Sequence, residues 1–128
     1  MRIYIAAKFS QRTFLRTLLP RLEKELFVIT SSWITEDESD FHEMKSGDLY
    51  IVGRRDIVDI VCSDAVVQDT LEELIQGAGG GREWEAGYGA GLGKRYWRVG
   101  PARNPFHYSA ARVYKSWEDV IDGKYEGV

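Results

Sequence analysis

Apolar positions along the chain switch between alternate-residue and helical spacing, and the switches divide it into strands and helices. Arg2–Ala6 (RIYIA) has the β-branched and aromatic content of a strand, and Leu15, Leu18, Leu19, Leu22 and Leu26 then recur at helical spacing. Pro20 falls inside that pattern, which predicts a kink or a helix restarted with Pro20 in its first turn. Phe27–Thr30 (FVIT) reads as a second short strand. Trp33 to Gly47 is polar, acidic and aperiodic, a long loop of the kind that small domains often use for function. Asp48 is placed to cap a second helix running to about Ser63, with Leu49, Val52, Ile57, Ile60 and Val61 as its inner face. Ala65–Gln68 (AVVQ) is a third strand, and Thr70 to Gly80 a second irregular region with one helical turn. A third helix spans about Arg82 to Leu92, and Gly93 is its natural stop. Tyr96–Val99 and Arg112–Tyr114 read as strands four and five, and Ser116 with Asp119 resembles a capping box that opens a last helix, SWEDVID.

Repeated strand-helix alternation with crossovers of this length predicts a single doubly wound α/β domain over residues 1–128. It has about five parallel strands in the order 2-1-3-4-5, with helices on both faces. Ligands of such sheets sit beyond the carboxyl ends of the strands where strand order reverses, here between strands one and three. The residues presented there are Ala7, Lys8, Phe9 and Ser10 after the first strand, and Asp69 and Thr70 after the third.

Composition narrows the partners. At 128 residues the chain has room for one core of ordinary size, and net charge −3 gives no basic field for a polyanion. Polymeric nucleic acid is therefore not expected, whereas a single nucleotide is compatible. The longest apolar runs are far short of the roughly 20 residues that span a bilayer, and the opening MRIYIAAKFS is interrupted too soon for a signal peptide. No membrane attachment is expected. Cys62 is the only cysteine, which excludes an internal disulfide and makes a reducing cytoplasm the expected setting. His42, His107 and Cys62 are too few and too scattered for a metal site, so no metal and no cofactor are expected.

Two carboxylates break the structural pattern. Asp56 lies four residues after Val52 and four before Ile60, which puts it in line with the apolar face of its helix, where an unpaired charge is costly. Pairing with Arg54, Arg55 or a backbone amide is the structural alternative. Glu85 sits in the first turns of a helix with Gly87, Gly89, Gly91 and Gly93 at alternate positions, each interior one costing about 1 kcal/mol relative to Ala. Such a helix implies close approach of its backbone to a neighbour or ligand. Gly81 at its start and the large Trp84 and Tyr88 would then shape a pocket. The structural alternative for Glu85 is an acidic residue favoured by the helix dipole.

Other chemistries lack their motifs. Gly77-Ala78-Gly79-Gly80-Gly81-Arg82 has Arg82 where a dinucleotide fingerprint needs its third glycine, and it does not follow a strand tightly. There is no phosphate loop ending in Gly-Lys-Ser/Thr and no Gly-x-Ser-x-Gly nucleophile elbow. A carboxylate-based site remains, with two carboxyl groups of the kind that cleave a glycosidic bond.

The chain resembles the nucleoside 2-deoxyribosyltransferase family over nearly its whole length, most closely its short bacterial and phage members. The resemblance rests on RIYIAAKF, TSSWI, RRDIVDIVCSDAVV, GGREWEAGYGAGLGKRYWRVGPARNPFHY and SWEDV. It implies that Glu85 is the nucleophile that holds the deoxyribosyl group, that Asp56 assists proton transfer to the departing base, and that Tyr4 orients Glu85. It further implies that Ala7, Lys8 and Phe9 line the sugar and base pocket, and that Asp69 is an acidic position at its edge. Trp33 either stacks on the base or plugs the edge of the core. Lys8, Ser10 and Arg12 resemble the first loop with which related nucleotide hydrolases hold a 5′-phosphate, although Arg12 also suits a solvated helix face. The chain departs from the family in carrying Glu83 and Trp84 just before Glu85, and Gly79, Gly80 and Gly81 where true transferases commonly have an Asp. These departures weaken the case for base exchange and make hydrolysis by water the simpler outcome.

The expected activity is retaining cleavage of the N-glycosidic bond of a nucleoside or its 5′-monophosphate. The alternative is a protein of the same fold that sequesters a nucleotide without turnover. The resemblance also implies a homo-oligomer in which a neighbour completes the pocket, with Asn104 to Tyr108 as the segment for that contact or for the pocket rim.

Overall fold

The computed structural model describes residues 1–36, 45–72 and 80–127. A six-stranded sheet runs in the order β2-β1-β3-β4-β5-β6, formed by β1 (Arg2–Ala6), β2 (Val28–Ile29), β3 (Ala65–Asp69), β4 (Arg95–Val99), β5 (Arg112–Tyr114) and β6 (Glu126–Gly127). The first five strands are parallel in the predicted order. β6 is an antiparallel addition that the sequence pattern did not reveal. It has only two residues, too few to show periodicity, and Gly127 lies so close to the Ala111 carbonyl that no Cβ fits.

Among the described residues four α-helices cover the sheet: α1 (Arg12–Lys24), α2 (Ser46–Val61), α3 (Gly81–Gly91) and α4 (Trp117–Asp122). Side-chain alternation sorts them between the faces. Even-numbered Tyr4 and Val66 meet α3, whereas odd-numbered Asp69 meets Trp117 of α4, and α4 packs beside α1. α2 and α3 therefore share one face and α1 and α4 the other, as a doubly wound sheet requires. No helix among the described residues is long and apolar enough to cross a membrane.

Leu15, Leu18, Leu19 and Leu22 of α1 are buried as predicted. Leu26 is a correction, because the helix ends at Lys24 and Leu26 turns the chain toward β2 at φ 68°, leaving its side chain 82% exposed. Pro20 neither stops nor restarts α1. It lies on the exposed side while the leucines on either side of it hold both halves of the helix to the sheet.

α2 departs further from the expected pattern. Asp48 lies inside its first turn and Lys45 occupies the cap position. Of the expected inner face only Ile60 is fully buried, while Leu49 and Val61 are exposed, as are Tyr50, Ile51 and Val58. The last helix follows its signal: Ser116 Oγ accepts from the Asp119 amide, and Gly123 ends the helix at φ 70°.

The glycines of α3 have different roles. A Cβ on Gly89 would collide with the buried, β-branched Val66 of β3, whereas a Cβ on Gly87 meets nothing within 4 Å. Gly89 alone of the helix's interior glycines therefore buys close approach, and its neighbour is the sheet. Gly89→Ala is expected to destabilise the fold by about 1–3 kcal/mol because Val66 has little rotamer freedom to yield. Gly87→Ala should instead stabilise it by up to about 1 kcal/mol through helix propensity. Urea denaturation of the two variants checks the contrast.

Candidate active site

The close contact at Gly89 brings α3 down onto the centre of the sheet, and one turn earlier Glu85 reaches β1. There the Tyr4 hydroxyl donates a hydrogen bond to Glu85 Oε2. Tyr4 is fully buried in a central strand, so its phenol is held rigidly by the sheet. Burial pushes the Glu85 carboxyl up from its ordinary 4.5 to about 8. The pair sits toward the carboxyl end of β1, the edge at which an open parallel sheet receives ligands. Gly81, the first residue of α3, lies next to the Glu85 carboxylate: a Cβ there would meet Oε1 at 3.8 Å, an ordinary contact.

Asp56 approaches from α2. Ile60 lies 3.6 Å from the Cβ position of Gly89, so α2 and α3 touch at these two residues. Asp56 stands one turn before Ile60, and Glu85 one turn before Gly89. Both helices follow strands of a parallel sheet and precede the next, so the two carboxylates lie at similar height toward its carboxyl edge. Burial raises the Asp56 carboxyl, and Arg55, 3.2 Å from Oδ1, works against that rise. Arg55 also pairs with Glu36. Pairing with Arg55 was among the alternatives the sequence left open for Asp56.

The remaining residues of the sequence prediction separate. Ala7 is buried at the end of β1, Phe9 and Lys8 are half-buried just beyond it, and Ser10 is exposed. Lys8 Nζ lies 3.5 Å from Glu72 Oε2. Arg12 is buried, not on a solvated face, and its Nε donates to the Ile34 carbonyl at 3.2 Å. Trp33 is only 6% exposed; its indole N–H donates to the Ile5 carbonyl at 2.9 Å and its ring lies beside Phe9. Both of these contacts hold the indole at the edge of the core. Asp69 faces away from Glu85, toward α4. It is fully buried and accepts from Trp117 Nε1 at 2.7 Å and from the Leu71 amide at 2.9 Å. Burial raises its carboxyl too. His42 and Gly77 to Gly79 lie outside the described residues.

Two arginines that the sequence reading assigned no role support this edge. Arg82 Nη1 donates to the carbonyls of Asp69 and Glu72, at 3.0 and 2.8 Å. Arg103 donates to those of Thr70 and Leu71, at 2.8 and 2.9 Å. Four consecutive carbonyls, from the last residue of β3 onward, are thus held by two guanidinium groups. The only signal for them in the sequence was Arg82 in place of the third glycine of the rejected fingerprint. Gly100 at the end of β4 completes the junction: it has φ 113°, and a Cβ there would meet Thr70 Oγ1 at 2.7 Å.

No family model and no curated protein sequence matches the chain. Solved structures do. A 2-deoxyribosyltransferase from the psychrotolerant bacterium Bacillus psychrosaccharolyticus superposes with a TM-score of 0.76 at 20% identity, covering 95% of this chain and 91% of that one. A 2-deoxyribosyltransferase from Leishmania mexicana gives 0.64 at 16% identity, with 95% of both chains covered. The CMP N-glycosidase of Clostridium botulinum gives 0.57 at 15% identity, covering 96% of this chain and 97% of that one. Over nearly its whole length the chain therefore has the fold on which these 2-deoxyribosyltransferases and this CMP N-glycosidase are built.

Proposed function

We infer that the protein cleaves the N-glycosidic bond of a nucleoside or nucleoside 5′-monophosphate, with Glu85 as nucleophile. The observation that carries this reading is the buried Tyr4–Glu85 hydrogen bond at the ligand edge of the sheet. A carboxyl group withdrawn from water and aimed by a rigid phenol is costly to maintain for packing alone, and it suits attack on an anomeric carbon. The fold shared with two deoxyribosyltransferases and a CMP N-glycosidase supports the same reading.

In the first step a Glu85 carboxylate oxygen bonds to C1′ as the C1′–N bond breaks. The departing base takes the electron pair and a proton from Asp56, whose burial favours the protonated form that an acid needs. In the second step water, or a second base, attacks C1′ and gives its proton to Asp56, while the ester bond to Glu85 breaks and restores the carboxylate. Ala7, Lys8, Phe9, Ser10 and Gly81 are the residues proposed to bind the substrate beside Glu85. Chromatography of a panel of nucleosides and 5′-monophosphates, incubated with and without an acceptor base, tests the reading. Free base without acceptor means hydrolysis, and a new nucleoside means transfer. Tight binding of a panel member with no product would favour the sequestering alternative.

A second copy of the chain is the proposed occupant of the exposed side of α2, where Tyr50, Ile51, Val58 and Val61 are open, and Trp84 of α3 is exposed as well. An apolar surface of this extent on a small domain marks an interface. Light scattering should give at least a dimer for the wild type and a monomer for the Ile51→Glu/Val58→Glu double variant. A monomeric wild type would overturn this part of the proposal.

A further inference from the structure

α3 begins without a capping side chain: Gly80 stands at its cap position, and Gly81 follows. The interior of the helix carries Gly87 and Gly89, so neither its cap nor its propensity fixes the first turn on which Glu85 depends. Glu83 supplies an anchor from another direction. Two residues apart on a helix, Glu83 and Glu85 project to nearly opposite sides. Glu85 is tied to β1 through Tyr4, while Glu83 faces the 3-10 turn Pro105–Ser109 that follows β4.

There His107 is 1% exposed, and its Nε2 lies 3.0 Å from both carboxylate oxygens of Glu83. The Arg103 amide donates to His107 Nδ1 at 2.9 Å, so the ring proton lies on Nε2 and is given to Glu83. Asn104 Oδ1 accepts from the amides of Phe106 and His107, which turns its Nδ2 toward Glu83 Oε2 at 3.4 Å. Buried Arg98 of β4 grips the His107 and Gly100 carbonyls from below. Two of the groups that face Glu83, His107 and Asn104, thus belong to this turn.

We propose that Glu83 and His107 are a positioning pair that locks the first turn of α3 to the segment after β4 and so holds Glu85 in register with Tyr4. The proposal rests on Glu85 as the reacting group, but it concerns the support of that group. A rotation of α3 that would withdraw Glu85 from Tyr4 must also pull Glu83 away from a buried imidazole. The low level at which the Glu83 carboxyl ionises agrees: burial would raise it, and its donors, Gln68 and His107 first among them, more than compensate.

The test combines a readout that needs no substrate with one that does. Carbon-13 NMR follows the titration of the Glu85 carboxyl in wild type, Glu83→Ala, His107→Ala, the double variant, and Glu83→Gln, which keeps an acceptor for His107. Release of base from the four common 2′-deoxynucleosides and their monophosphates is measured in parallel. Each alanine variant is expected to lower the Glu85 titration midpoint by at least about one pH unit as water enters, and to lower kcat at least tenfold with KM within threefold of wild type. The double variant should lose no more than either single one, and Glu83→Gln should keep most of the activity. An unchanged Glu85 titration in folded Glu83→Ala, or additive losses in the double variant, would overturn the proposal. If wild type releases no base at all, the functional reading fails, while the titration still decides the positioning role.

Discussion

Replacing Glu85 with alanine is expected to lower base release from a nucleoside by at least roughly three to four orders of magnitude, with the fold intact. The size of the loss follows from the absence of a substitute among the described residues. Asp69 points to the other face of the sheet, and Glu83 is taken up by His107 and Asn104. Asp56 is paired with Arg55 on a different helix. Glu85→Gln keeps the volume and can still accept from Tyr4, so it should bind substrate nearly as well while losing turnover to the same extent. A drop in kcat with KM little changed distinguishes a missing nucleophile from a damaged pocket. The chromatographic assay that identifies the substrate supplies both numbers.

The same residue should also make folding stability depend on pH. In the unfolded chain Glu85 ionises near 4.5, and in the folded protein near 8. Below about 4.5 both states hold the proton. Between about 4.5 and about 8 the folded state keeps a proton that the unfolded state has lost, so folding stability falls as pH rises, with a limiting slope of about 1.4 kcal/mol per pH unit. Above about 8 both are ionised and the decline from this group ends. Asp56 and Asp69 are also raised by burial and act in the same sense, so the difference between wild type and Glu85→Gln isolates Glu85. Glu85→Gln should therefore be more stable than wild type at pH 8, by a few kcal/mol at most, and near parity at pH 4.5. Activity needs Glu85 ionised and Asp56 protonated at the same time, so kcat/KM should follow a bell in pH and fall, not level off, above about 8. Thermal denaturation of both proteins across pH 4.5–9, beside the pH-rate profile, measures the two trends together.

Much of this arrangement was legible in the chain because its causes are local. The leucine spacing of α1, the β-branched runs of β1 and β3 and the Ser116 cap each act within a few residues, and their alternation implies the sheet order. Glu85 and Asp56 stood out because each contradicts its own helix, one by its glycines and the other by its apolar line. Features set by distant partners were not legible. Nothing near Asp69 in sequence announces Trp117, 48 residues later, which holds that carboxylate on the face away from Glu85. The two-residue β6 and the exposure of α2 likewise depend on what packs where. The Glu83–His107 contact joins residues 24 positions apart, and neither lies in a motif that would pair them. Glycine was the most ambiguous signal, since one composition covers a sheet contact at Gly89, a crossing at Gly100 and open space at Gly87.

The central claim is that a sugar becomes bonded to Glu85, and the mass of the intact protein tests it directly. A 2-fluoro-substituted deoxynucleoside slows departure of the sugar from the enzyme and lets the ester accumulate. After incubation with such a compound, the wild type should gain the mass of one fluorosugar, and peptide mapping should locate it on Glu85. Glu85→Gln should gain nothing. Base released at a measurable rate from a protein of unchanged mass would contradict the account, because the bond would then be broken without Glu85 ever holding the sugar.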